Sequence, residues 1–220
     1  MKRGYFVTGT DTGIGKTTVS CALLRSFSRL GFASAGMKPV SSGGDDAARL
    51  AAAGSLPVPP DLANPYDLPD PLAPHIAARR AGVAIAAGAI VRAYENIGAD
   101  IVIVEGIGGF LVPLNEEQDT SDLARMLGLP VILVVGMRLG AINHALLTRD
   151  AVKSRGLELA GWVANRMDPG MLAFDEVLEA ITGRIDAPLL DVVPFDPEEG
   201  FVIDVSKLTG VSFPRFRNRG

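Results

Sequence analysis

Cysteine is almost missing: Cys21 stands alone in 220 residues, which excludes an internal disulfide framework and any cysteine-based metal cage. His75 and His144 are the only imidazoles, and neither has a second histidine or cysteine at ligand spacing, so both read as structural. Aromatic residues make up only 6% of the chain, and the single tryptophan, Trp162, reads as core. Basic charge is scarce as well. Twenty-one Lys and Arg face 25 Asp and Glu, and a net charge of −4 argues against a nucleic-acid binder, which needs a basic face to neutralise phosphates. The three arginines of the carboxyl-terminal SFPRFRNRG therefore read as a solvated tail sooner than as a phosphate or RNA contact. Long apolar runs are absent too: PVILVVGM from Pro130 spans eight residues, against the roughly twenty that cross a bilayer. The start, MKRGYFVTGT, lacks the apolar core of a secretion signal, so a cytoplasmic protein without a membrane anchor is expected.

What the chain does have is 48% hydrophobic residues, enough to fill one substantial core, and a single domain over 1–220 is expected. Short β-rich runs bounded by Gly or Pro recur at Tyr5 (YFVTG), Ala33 (ASAGMKPV), Ile101 (IVIVEG), Val131 (VILVVG), Leu159 (LAGWVAN) and Leu189 (LLDVVP). Helical spacing fills Thr17–Leu30, Gly140–Arg155 and Met171–Ile181 between them. This alternation predicts an α/β fold, a mostly parallel sheet flanked by helices on both faces, with ligands beyond the carboxyl ends of the strands. The polar candidates fall at those ends. Ser55–Pro74 is the exception, because its proline density forbids a continuous helix or a central strand and predicts a surface loop, ordered or mobile.

The first strand runs into GTDTGIGKT and then into a strong helical pattern, the placement a phosphate-binding loop requires. Five residues separate Gly9 from Gly15 where the common pattern has four, and Thr10 stands at the expected glycine position. Gly13 and Gly15 permit close backbone approach to an anion, Lys16 can reach the outer phosphates, and the Thr17 hydroxyl suits a magnesium ion. Glu105, after IVIV and before Gly106, sits where an acid can complete that coordination directly or through water. Lys38 ends a strand and is pinned by Pro39, so two lysines from different strand ends could face the γ-phosphate. Asp46, or alternatively Asp45, could add a third metal oxygen.

Together GTDTGIGKT, KPVSSG, VEGIGG, PVILVVGMRLGAINHALLT and LAGWVAN, in this order, resemble the dethiobiotin synthetase family from about Tyr5 to Pro194. In that family the five-residue spacing is the normal form of the loop, within a fold like that of the phosphate-loop NTPases. The resemblance implies a ligase of biotin biosynthesis. 7,8-Diaminopelargonate and CO₂ form a carbamate, ATP phosphorylates it, and the neighbouring amine closes a ureido ring to give dethiobiotin, ADP and phosphate.

It further implies Lys38, Lys16 and Thr12 as catalytic residues, with Mg²⁺ held by Thr17, Asp46 and Glu105. Asp46 is preferred over Asp45 because it directly precedes the helix-like AARLAAA. ATP would be bound by Gly13, Ile14, Gly15, Lys16, Thr17, Thr18, Glu105, Gly106 and Gly108, with Asn165, Arg166 and Pro194 near the base. The substrate would meet Ser42, Lys38 and Pro113. The family is dimeric, which implies that the substrate carboxylate meets backbone amides of Leu139, Gly140, Ala141, Ile142 and Asn143 from a partner subunit. The nearest rival is a regulatory or partitioning ATPase of the same fold, but those carry a signature lysine early in the loop, and Gly9 to Gly15 contains none. A small-molecule kinase, leaving phosphate on its product, is the second rival.

Overall fold

The computed structural model describes residues 2–209, so the arginine-bearing SFPRFRNRG lies outside the described residues. The strands are β1 (Arg3–Gly9), β2 (Ser34–Met37), β3 (Val40–Ser42), β4 (Tyr66–Leu68), β5 (Ile101–Glu105), β6 (Val131–Met137), β7 (Leu159–Arg166) and β8 (Leu189–Val193). The helices are α1 (Lys16–Arg29), α2 (Asp46–Ala53), α3 (Pro60–Ala63), α4 (Pro74–Ala81), α5 (Ala87–Asn96), α6 (Thr120–Leu127), α7 (Ala141–Ser154), α8 (Phe174–Thr182) and α9 (Ser206–Thr209). Six strands form one parallel sheet in the order β2-β5-β1-β6-β7-β8, and β3 pairs with β4 in a separate parallel ladder.

Every residue of β5 and β6 is buried, which is why both read as unbroken apolar runs: helices cover the two faces of the sheet. Strand alternation then divides the core. Tyr5, Val7, Ile101 and Ile103 face α1 and meet Val19, Leu23 and Phe27. Phe6, Val102 and Val104 face the other way, against Ile90 and Tyr94 of α5 and Leu123 of α6. Under α7 and α8, Leu133, Val135 and Trp162 pack with Ala145, Phe174 and Ile181. Trp162 and Phe27 are fully enclosed, and burial of that kind is worth roughly 2–3 kcal/mol per side chain.

The same alternation aims the site. Met37 pairs with Val104, and both belong to the α5 face, so the next residues, Lys38 and Glu105, turn side by side toward α1. β1 is the switch point of the sheet: its chain leaves toward β2 on one side while β6 lies on the other, which opens a crevice beyond its carboxyl end.

Three expectations are corrected. The run from Ala33 to Val40 is not one strand: β2 stops at Met37, Pro39 has no N–H to continue a ladder, and Val40–Ser42 joins the small sheet. Ser55–Pro74 is not a plain loop, since it contains the single-turn α3 and the strand β4. Pro60 and Pro74 occupy first-turn positions of α3 and α4, where a missing N–H costs nothing. Finally, α8 starts at Phe174 and not at Met171.

Candidate active site

Gly13 and Gly15 adopt φ of +70° and +87°, the left-handed region that lets GTDTGIGKT fold back over the end of β1. Gly15 is also the N-cap of α1, and no side chain caps that helix start. Its first N–H groups therefore point into the crevice without side-chain partners, beside the positive end of the helix dipole. Ile14 is buried beneath the loop, so it offers a ligand only its backbone. Asn165 fixes the loop from β7: its Nδ2 donates to the Ile14 carbonyl at 2.7 Å.

The loop borders a cleft of about 330 Å³, to which Thr12, Gly13, Gly15, Lys16, Thr17, Thr18, Lys38, Ser42, Asp46, Glu105 and Gly108 all contribute. Lys16 is buried, and its ammonium donates to the Asp11 carbonyl at 2.8 Å. Burial, reinforced by the charge of Lys38, lowers its pKa to about 8. Lys38 is 3% exposed, and its Nζ lies 2.6 Å from Glu105 Oε1, 3.0 Å from Asp46 Oδ2 and 3.1 Å from the Gly106 carbonyl. Its backbone is clamped by the proline-rich segment, because Lys38 N–H donates to the Ala63 carbonyl and Asn64 Nδ2 donates to the Lys38 carbonyl. Burial would raise the Asp46 carboxyl, but the charge and hydrogen bond of Lys38, with the Thr17 hydroxyl, hold it below the ordinary carboxylate range.

Three oxygens converge next to this lysine. Thr17 Oγ1 stands 2.8 Å from Asp46 Oδ1 and 2.9 Å from Glu105 Oε1, yet a hydroxyl has one proton and can donate to only one of them at a time. Glu105 Oε2 is buried with no hydrogen-bond partner among the described residues. A hydroxyl, two carboxylates and an orphaned carboxylate oxygen fit a hard divalent cation. No group of three or more His, Cys, Asp or Glu side chains could hold a metal among the described residues, so phosphate and water oxygens would have to complete the shell.

Other expected residues lie elsewhere. Arg166 stacks over the Phe174 ring at 4.0 Å, and Pro194 is exposed just beyond β8. Pro113 does not line the cleft; it is exposed and bridges to Asp119. Leu139, Gly140, Ala141, Ile142 and Asn143 line a second, apolar hollow of about 670 Å³ with Met171, Leu172 and Val177. Leu139 is 100% exposed and Leu172 is 89% exposed. The two cavities share no lining residue, but Arg138, at the rim of the second, forms an ion pair with Asp11 of the loop. Arg49 of α2 lines the phosphate cleft and was not among the expected residues, because a lone arginine on a short helix looks like an ordinary solvated charge.

A crevice with uncapped helix N–H groups, a buried lysine and an oxygen cluster at the sheet's switch point defines a phosphate-loop nucleotide-binding protein of the α/β class. The family model described as an AAA domain matches residues 3–200. An ATP-dependent dethiobiotin synthetase BioD from Aromatoleum aromaticum is 58% identical over 203 residues, covering 87% of this chain and 90% of that protein. The protein of the same name from Nitrosospira multiformis is 54% identical over 203 residues, covering 89% and 90%. Among solved structures, the MinC:MinD cell division protein complex of Aquifex aeolicus matches with a TM-score of 0.61 at 15% identity, covering 98% of this chain and 99% of that one; it shares the fold alone. The chain belongs to the ATP-dependent dethiobiotin synthetase family.

Proposed function

We infer that the protein is an ATP-dependent cyclo-ligase that joins 7,8-diaminopelargonate and CO₂ into dethiobiotin, with release of ADP and phosphate, in biotin biosynthesis. The single observation that carries the site assignment is that Lys16, at the start of α1, and Lys38, just past the end of β2, line one cleft with Thr17, Asp46 and Glu105. A carbamate anion and a triphosphate repel each other, so the reaction needs preorganised cations between them. Lys16 and Lys38 supply two. Thr17, Asp46 and Glu105 would hold Mg²⁺, which when bound neutralises phosphate charge during the transfer.

The carbamate oxygen attacks the γ-phosphorus, and the bond to the bridging oxygen of ADP breaks. The second amine then attacks the carbonyl carbon of the mixed anhydride, phosphate leaves, and the amine proton is lost to solvent or phosphate. Lys38 would orient the carbamate, a role supported by its sharing the cleft wall with Ser42. The loop N–H groups and Lys16 hold the transferring phosphate. Thr12, on the loop opposite Gly108, is placed to touch the same group. Asn165 Nδ2 donates to the Ile14 carbonyl and to the Met167 sulfur, which leaves its side-chain carbonyl to accept from the base.

The functional unit is a homodimer in the cytoplasm, with each subunit a single domain. The exposed Leu139 and Leu172 and the apolar hollow between them support an interface there, and the backbone of 139–143 at the start of α7 supports a carboxylate-binding role across it. No helix among the described residues is long and apolar enough to cross a membrane. The decisive experiment measures ADP and phosphate release with diaminopelargonate, bicarbonate and Mg²⁺ each present or omitted. Turnover should require all three together; ATP hydrolysis indifferent to the diamine overturns the assignment.

A further inference from the structure

The charges around the phosphate cleft do not balance in the way the catalytic residues alone suggest. Lys16 and Lys38 contribute two positive charges to its wall, and Asp46 and Glu105 contribute two negative ones, so these four cancel. Both lysines are also engaged within the protein, Lys16 on the Asp11 carbonyl and Lys38 on the two carboxylates. The remaining charged residue in the wall is Arg49, which leaves the lining side chains with one net positive charge, added to that of the uncapped start of α1. Its guanidinium forms no hydrogen bond or ion pair among the described residues.

The position of Arg49 is fixed and its direction is favourable. It follows Asp46 by three residues on α2, so the two share one helix face. Helical side chains lean toward the amino terminus of their helix, here the end that carries Asp46 into the cleft. Its backbone is held at both sides: the N–H donates to the Asp45 carbonyl at 2.9 Å, and the Arg49 carbonyl accepts from Cys21 Sγ of α1 at 3.5 Å. A planar, permanently charged fork on a fixed stem, facing a triphosphate cleft with nothing else to bind, is suited to bidentate phosphate recognition.

We propose that Arg49 is a nucleotide-binding residue, whose guanidinium closes on the phosphate tail from the α2 wall, opposite the glycine-rich loop. The inference rests on the reading of this cleft as the ATP site. It assigns to Arg49 a share of the positive charge that draws the anion in, and leaves Lys16 and Lys38 to serve the transferring group.

Binding of Mg-ATP to the wild-type chain and to Arg49→Gln and Arg49→Lys, measured by calorimetric titration at low and high salt with a melting curve for each variant, tests it. Arg49→Gln should weaken ATP about tenfold at low salt, the scale of one charged hydrogen-bonding contact. Its affinity should fall less steeply with salt than that of the wild type, and Arg49→Lys should recover part of the loss. Binding of Arg49→Gln within about twofold of the wild type overturns the proposal. So do equal losses in both variants with a lowered melting temperature, which would make Arg49 a residue of the fold. If the wild type itself fails to bind ATP, the reading of the cleft falls first and Arg49 falls with it; tight wild-type binding that is matched by Arg49→Gln removes Arg49 alone.

Discussion

Replacing Lys38 with methionine separates its two roles, because the ammonium both neutralises buried carboxylates and serves the transferring group. Glu105 is 0% exposed and Lys38 only 3%, and the pair is 2.6 Å apart. Removal of one member of a buried pair strands the other charge, at a cost of about 3–5 kcal/mol. Asp46 adds little to this cost, since its side chain is 34% exposed and water screens it. For a chain of this size 1 kcal/mol moves the melting temperature by about 2–4 °C, so Lys38→Met should melt roughly 6–20 °C lower in EDTA. A divalent ion on Thr17, Asp46 and Glu105 replaces the lost charge. Mg²⁺ should therefore raise the melting temperature of the variant by more than that of the wild type, in which the same carboxylates must first release Lys38. ATP should still bind through the loop and Lys16. Dethiobiotin formation should fall by about 10²–10³, the loss typical of one preorganised charge contact. An unchanged melting temperature in EDTA, or equal Mg²⁺ stabilisation of both chains, refutes the shared-site reasoning. Normal dethiobiotin formation removes Lys38 from the mechanism.

Lys16 carries a pH dependence of defined sign. Its ammonium, lowered by burial to about 8 from the ordinary lysine value of 10.5, is recharged by phosphate, so ATP binding above pH 8 should take up a proton and weaken as pH rises. Titrations in buffers of different ionisation enthalpy measure that uptake. In stability the sign is opposite: between about 8 and 10.5 the unfolded chain binds more protons at Lys16, so its contribution improves with pH over that window. Gly15→Ala should abolish ATP binding, because its φ is +87° and the new Cβ would lie 2.1 Å from Asn165 Nδ2. Gly13→Ala, with φ +70° and nothing within 4 Å, should bear only left-handed strain of about 1–2 kcal/mol; equal binding losses in the two variants contradict the geometry. Leu139→Asp should leave subunit stability unchanged and dissociate the proposed dimer. Two symmetry-related leucines at about 2 kcal/mol each amount to roughly a thousandfold in dissociation constant, readable by sedimentation equilibrium.

The sheet was legible because the centres of β1, β5 and β6 are buried on both faces and so are written as the continuous apolar runs YFV, IVIV and VILVV, each with a glycine within two residues of its end. Lys38 and Glu105 were legible for the same reason, as charges placed at the tips of such runs. What stayed hidden depends on contacts distant in sequence. Nothing local to Asn64 says that its amide will hold the Lys38 carbonyl, 26 residues away. The proline count of Ser55–Pro74 conceals a strand of three residues, because β4 needs only β3 beside it and prolines at the starts of α3 and α4 cost no hydrogen bond. Arg49 was hidden by its type, since an arginine beside alanines on a helix declares its meaning only when the cleft it lines is known.

The site is organised by substitution of contacts. Without a ligand, Lys16 rests on the Asp11 carbonyl, Lys38 on Glu105 and Asp46, and the Asn165 amide on the Ile14 carbonyl. Each of the two buried lysines thus already has a partner of opposite polarity, which keeps buried charge from destabilising the fold. The consequence falls on specificity. A lone phosphate can use the free N–H groups of the loop, but it engages Lys16 or Lys38 only by displacing an internal contact. On the proposed mechanism a triphosphate with a divalent ion would replace several at once: the ion would take Glu105 and Asp46, and Lys38 would be freed for an anion at the same step. On the proposed mechanism the internal ion pair would couple metal entry to exposure of the lysine that would receive the carbamate, so the charged acceptor would be held only where the phosphoryl donor is already in place.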